Sequence, residues 1–303
     1  MKYPIILALI IFLVCLAYFF YFQIKPEVDA AAYDRIAVNI VEGKGFVEFP
    51  NRPLGMDRDI IHIGQSYTVF LALIYKIFGH HYSVVWFFQA LLHVLTGLLL
   101  FFICINIFDR ESSQKIGLLA MAIYGFWPDL VESTAMLMTE TFFLFLAALV
   151  IYLIIKFFQN PGIKKNVLIA FILSIAILTR PTILLFGLVF ILVLFFKKEI
   201  KQRYAYLVLF IIIPVIIVGS WMFRNYLKYD RFVISTTGGY DLWIGNNPQA
   251  NGEMEPSQEI VDYFNNYGFV NIDKKGMSEV KNFAFHEPLK FLKLQLVKTS
   301  KYF

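Results

Sequence analysis

The apolar positions of this chain gather into long runs parted by short charged breaks, and the runs set the expected elements. They occupy residues 4–22, 82–108, 116–127, 135–158, 167–196 and 206–223. A hydrocarbon core of about 30 Å asks a helix for roughly 20 apolar residues, and backbone groups find no water partner inside it. The runs therefore predict membrane-crossing helices, and the two-residue alternation of a membrane barrel is absent. Residues 167–196 are too long for one helix and are cut by Thr179-Arg180-Pro181. Proline disfavours helix at the residue before it, so two short spans with a tight turn are expected there. Residues 67–78 are apolar but short and carry Lys76, which suits a re-entrant or interfacial helix. The expected fold class is an all-α polytopic membrane protein.

The polar stretches complete this plan. About seven spans fill residues 1–223, with a long first loop at 23–66. Residues 224–287 form a polar segment rich in Gly and Asn, and 288–303 read as the start of a further span inside which the chain breaks off. The run 4–22 follows Lys2 and has no small-residue cleavage site, so it is expected to stay as the first span.

Charge placement then orients the plan. The breaks hold Arg110 and Lys115, then Lys156, Lys164 and Lys165, then Lys197, Lys198, Lys201 and Arg203. Cations mark cytoplasmic loops, so the first loop, residues 127–134, the Arg180 turn and the 224–287 segment share the outer face. A crossing by residues 67–78 would turn every later basic loop outward, so the charges favour the re-entrant reading. The same placement answers the net charge of +5, from 27 Lys and Arg against 22 Asp and Glu, which alone invites nucleic acid. With 59% hydrophobic and 16% charged residues, a soluble domain is excluded. Cys15 and Cys104 lie in apolar runs, which excludes a disulfide framework and a cysteine metal site.

Candidate chemistry concentrates in the first loop. Asp29 begins a stretch in which Ala30, Tyr33 and Ala37, with Ala32, Ile36 and Ile40, recur at helical spacing, as in a short amphipathic helix on the interface. Asp29 is either that helix's N-cap or a reactive carboxylate. Asp57 and Asp59 offer paired hard oxygen donors for a divalent cation, or are solvated surface. Glu140 stands at the outer end of a span, as a costly ionisable group at membrane depth or as a helix-start carboxylate. Arg180 has no acidic neighbour in sequence and fits a lipid phosphate, in a donor or in ordinary headgroups. His80, His81 and His93 lack further ligands at coordination spacing and read as structural. Gly43-Lys44-Gly45 and Gly238-Gly239 read as turns.

Several short stretches in order resemble a known family. They are Asp29-x-x-x-Tyr33 with Gly43 and Gly45, YTVFLALIYKIFG, Phe126-Trp127-Pro128 and Met138-Thr139-Glu140. Leu178-Thr179-Arg180-Pro181, Trp221 with Arg224-Asn225, and Gly245-Asn246-Asn247-Pro248 follow. Together they resemble the GT-C superfamily of polytopic glycosyltransferases, and within it the protein O-mannosyltransferase and aminoarabinose-transferase group. The resemblance implies a GT-C-like bundle whose long first outer loop lays helices on the membrane. It implies inverting transfer of a sugar from a polyprenyl phosphate to a lipid, polysaccharide or protein acceptor, on the outer face of a bacterial cytoplasmic membrane. Asp29 matches the catalytic aspartate. Tyr33, Asp34, Arg58, Glu140, Arg180 and Arg224 are the candidate substrate-binding residues, and Asp57 and Asp59 remain the candidates for a divalent cation. The rival class is a lipid-linked-sugar flippase or a non-catalytic relative. A transporter would show inverted repeats, and no internal repeat is visible.

Overall fold

The computed structural model describes residues 2–52, 64–253 and 255–302, and every regular element among them is helical. Four helices are long and apolar enough to cross a membrane: α1 (Lys2–Phe22), α4 (Tyr82–Ile107), α7 (Thr139–Gln159) and α10 (Arg203–Tyr229). The other apolar runs give shorter helices. They are α5 (Arg110–Phe126), α8 (Ile163–Thr179) and α9 (Leu184–Phe196). Two 14-residue helices, α2 (Val28–Val41) and α3 (Gln65–Phe78), flank the part of the first loop that is not described. The chain is an all-α polytopic membrane protein.

Local chemistry moves several boundaries from where the runs placed them. The charged break at residues 109–115 predicts a short polar hairpin between spans. Instead only Phe108 and Asp109 break the helices, and α5 starts at Arg110 with Glu111 in its first turn, where the helix dipole favours an acid. Pro128 does end α5, but it also takes the first position of α6 (Pro128–Thr134), where its missing N–H costs nothing. Between α8 and α9, Pro181–Ile183 form a single 3-10 turn.

The chain divides into two units, Met1–Phe46 with Gly64–Trp221, and Val47–Ile63 with Met222–Phe303. In the first unit α7 and α8 run antiparallel. Lys165 Nζ donates to Asn160 O (2.6 Å) at one end, and Arg180 reaches Thr139 and Glu140 at the other. One hydrophobic cluster joins Phe19, Tyr33, Tyr67, Tyr75 and Trp86; a second joins Ile11, Cys15, Phe101 and Met121. The bundle is close-packed at Gly125, where a Cβ would stand 2.2 Å from Ile11 Cδ1.

The second unit contains α11 (Thr237–Gly245) and α12 (Gln258–His286, kinked at Gly268) in the stretch expected as a polar segment, and α13 (Pro288–Tyr302) in the stretch expected as the start of a span. Gly238 and Gly239 belong to α11, and they are not turn residues. A Cβ on Gly239 would lie 1.9 Å from Asp273 O, so its bare backbone is what lets α11 meet α12. The Gly239 N–H donates to Asp273 Oδ1 (2.8 Å), and Arg231 Nη2 holds Asp273 Oδ2 (2.8 Å). α13 runs for 15 residues.

Candidate functional site

The site assembles where α2, α3, α7 and the turn after α8 meet. Arg180 follows α8 in extended backbone, freed from the helix by Pro181. Its side chain crosses to the first turn of α7. Nε and Nη2 donate to Thr139 Oγ1 (3.0 and 2.8 Å), and Nη2 also donates to Glu140 Oε1 (2.5 Å). Arg180 has no acidic neighbour along the chain, but the fold supplies one forty residues away. One edge of the guanidinium is thereby engaged, while Nη1 makes no hydrogen bond among the described residues. Glu140 is likewise half used, since its buried Oε2 has no partner among them.

Tyr33 of α2 stands in the field of this pair. Burial pushes its phenol well above the usual range, the carboxylates of Asp29 and Glu140 push the same way, and Arg180 opposes them. The phenol therefore stays protonated and polar at any working pH. Asp29 is half-buried in the first turn of α2, where the helix dipole favours an acid. It is not the N-cap, a position that falls to Glu27. The backbone of α3 begins against the same group. Gly64 has φ +117°, and a Cβ there would meet Thr139 Cγ2 at 2.6 Å and Tyr33 Cε1 at 3.3 Å. Only glycine satisfies both the left-handed backbone and the close approach.

Asp34, one position further on, has a different environment. Tyr75 OH (2.6 Å) and His80 Nε2 (2.8 Å) bond Oδ1, and Tyr82 OH (3.0 Å) donates to Oδ2. These donors come from α3, the following turn and the start of α4, so the carboxylate ties α2 to the α3–α4 hairpin. Such saturation leaves it little to offer a substrate. The structural reading of His80 follows from the same contact.

Of the remaining candidates, Arg224 lies in the second unit. There it donates to Asn225 Oδ1 (2.8 Å) and sits over the Tyr229 ring. Asp57, Arg58 and Asp59 lie outside the described residues. Among the described residues no group of three His, Cys, Asp or Glu side chains could hold a metal ion. Sequence reasoning missed Thr139, although it stands in the Met138-Thr139-Glu140 stretch. It also missed Gln89, for which there was a signal, a lone amide in the middle of an apolar run.

Residues 66–221 match the family model of dolichyl-phosphate-mannose-protein mannosyltransferase, more than half of the 303 residues. The match takes in Thr139, Glu140 and Arg180 and begins after Asp29 and Tyr33. No curated protein and no solved structure matches the chain. Four membrane-crossing helices, an acid–cation cluster at one end of the bundle and the matched residues agree, and the chain belongs to the dolichyl-phosphate-mannose-protein mannosyltransferase family of membrane glycosyltransferases.

Proposed function

We propose that the protein transfers a sugar from a polyprenyl-phosphate donor to an acceptor hydroxyl on the outer face of the membrane, with inversion. The observation that carries the reading is the convergence of Asp29, Tyr33, Glu140 and Arg180, in which Arg180 Nη1 and Glu140 Oε2 are left without partners among the described residues. A guanidinium with a free edge suits a phosphate, whose charge grows as the sugar leaves. A buried, unpaired carboxylate oxygen suits a sugar hydroxyl.

In the step itself Asp29 accepts the proton of the acceptor hydroxyl. The acceptor oxygen bonds to the anomeric carbon from the face opposite the phosphate. The anomeric C–O bond breaks, and its electron pair leaves on the polyprenyl phosphate, facing Arg180. The basic breaks between spans support an outward-facing site through the charge rule.

Asp29→Asn tests the reading. It keeps the size of the side chain and removes the proton acceptor. Loss of a general base costs typically 10²–10⁴-fold, so transfer by the reconstituted protein should fall by about that factor while insertion and accumulation are unchanged. Transfer within a few-fold of wild type would reject Asp29 as the base.

A further inference from the structure

One buried side chain outside the site touches both of the segments that build it. Gln89 of α4 is 0% exposed, in the interior of the first unit. Its Oε1 accepts from Tyr67 OH (2.7 Å), and its Nε2 donates to Thr134 O (2.9 Å) and Met136 O (2.8 Å). The amide orientation is fixed, because both N–H groups meet carbonyls and the oxygen meets a hydroxyl. The two carbonyls belong to the link between α6 and α7, just before Thr139 and Glu140. The link is tied a second time where Ser133 Oγ and Thr141 Oγ1 share a hydrogen bond (3.1 Å).

The other arm leads to α2. Tyr67 is fully buried, and its ring stands edge-on to Tyr33, with centroids 5.6 Å apart at 85°. An edge-to-face pair fixes the angle of one ring against the other. Gln89 thus holds the carbonyls that precede Glu140 with one end and, through Tyr67, the ring that stands beside Asp29 with the other. A plain core position would need none of this. A polar group in a membrane bundle is costly unless fully satisfied, and an apolar residue of equal size would fill the space.

We infer that Gln89, with Tyr67, is a positioning residue that holds the Glu140–Arg180 pair in register with Tyr33 and Asp29, and so shapes the phosphate-binding edge of Arg180. The inference rests on the donor-phosphate reading of Arg180. Its removal is felt through the pair and not by contact with the lipid.

The probe is a polyprenyl phosphate without sugar, and its affinity is measured on protein in lipid nanodiscs. Arg180→Lys, which keeps the charge and loses the fork, should weaken binding on the order of tenfold to a hundredfold. Gln89→Leu should weaken it by about tenfold, the scale of a lost hydrogen-bonded tether. Tyr67→Phe removes a single hydroxyl and is the milder variant should Gln89→Leu fail to fold; about threefold is expected. The deciding measurement is the combination. If Gln89 acts through the pair, neither variant weakens binding further in the Arg180→Lys background beyond about twofold. Losses that add in full there would mark a general loosening of the bundle and overturn the inference. So would wild-type affinity in both Gln89→Leu and Tyr67→Phe. Wild-type affinity in Arg180→Lys would instead remove the donor-phosphate reading, and the assignment of Gln89 with it.

Discussion

The two ends of the first unit use the same polar residue types in opposite ways. At the Lys156 end, cations meet neutral partners. Lys156 Nζ donates to Asn106 Oδ1 (2.8 Å) and Gln159 Oε1 (3.0 Å), and Lys165 Nζ caps the carbonyl of Asn160 (2.6 Å). Asn166 Nδ2 reaches the Tyr206 carbonyl (2.9 Å). Of these, the Lys165 contact meets the end of α7, where the last carbonyls carry partial negative charge. The contacts tie helix ends together with neutral acceptors, and the atoms left buried there without a partner among the described residues are Asn166 Oδ1 and Arg203 Nε. At the Arg180 end, two acids and a cation crowd around a buried phenol, and one oxygen and one nitrogen are left over. The first arrangement sets cations on neutral acceptors, and the second joins a guanidinium to a carboxylate, each with bonding capacity to spare, next to closely packed backbone. That difference, more than any single residue, separates a structural end of this bundle from the end proposed as the site.

If the comparison is sound, the two ends face opposite sides of the membrane, and this carries the largest expected effect. Lys44 is exposed in the first loop and Lys164 is exposed in the first turn of α8. A Lys44→Cys protein in whole cells should react fully with an impermeant thiol reagent, and Lys164→Cys should react only after lysis. The native Cys15 and Cys104 are buried and give little background. Equal labelling of both in intact cells would break the assignment of ends.

Within the Arg180 end, Asp34 sharpens the contrast with Asp29. Each hydrogen bond to a charged acceptor is worth about 1.5–3 kcal/mol, and three groups bond the Asp34 carboxylate. Asp34→Asn turns an amide N–H toward those donors, so the protein should lose about 2 kcal/mol of unfolding free energy in a detergent titration. The maximal transfer rate should change little. A rate loss as large as that expected for Asp29→Asn would move the base to Asp34.

The helices were legible because the bilayer imposes a length and an apolar composition that few other constraints disturb. What the sequence did not give was partnership across distance. Arg180 looked unpaired because Glu140 is its neighbour only after α7 and α8 fold antiparallel. Asp29 and Asp34 looked alike, both acids on one short helix. They differ because Tyr75, His80 and Tyr82 arrive from another hairpin and occupy one of them. In the same way, Gly238 and Gly239 looked like a turn because close helix approach needs the same residue type as a tight bend. Residues 224–287 read only as a polar segment because α11 and α12 have weak apolar stripes, and their packing depends on Gly239 meeting Asp273.

The smallest effect belongs to the Lys156 end, and it tests whether that end is only structural. Lys156 is half-buried, and its partners Asn106 and Gln159 also bond each other (3.0 Å). Lys156→Met keeps the stem that packs along the helices and removes the charged head. The amides retain one another, so the stability change should stay near 1 kcal/mol, the net scale of one hydrogen bond. Polyprenyl-phosphate binding and transfer should remain at wild-type values, since the site lies a full helix length away at the other end of α7, about 30 Å for 21 residues. A clear fall in transfer without a fall in stability would show that α7 couples the two ends, and the division between a structural end and a reacting end would then have to be given up.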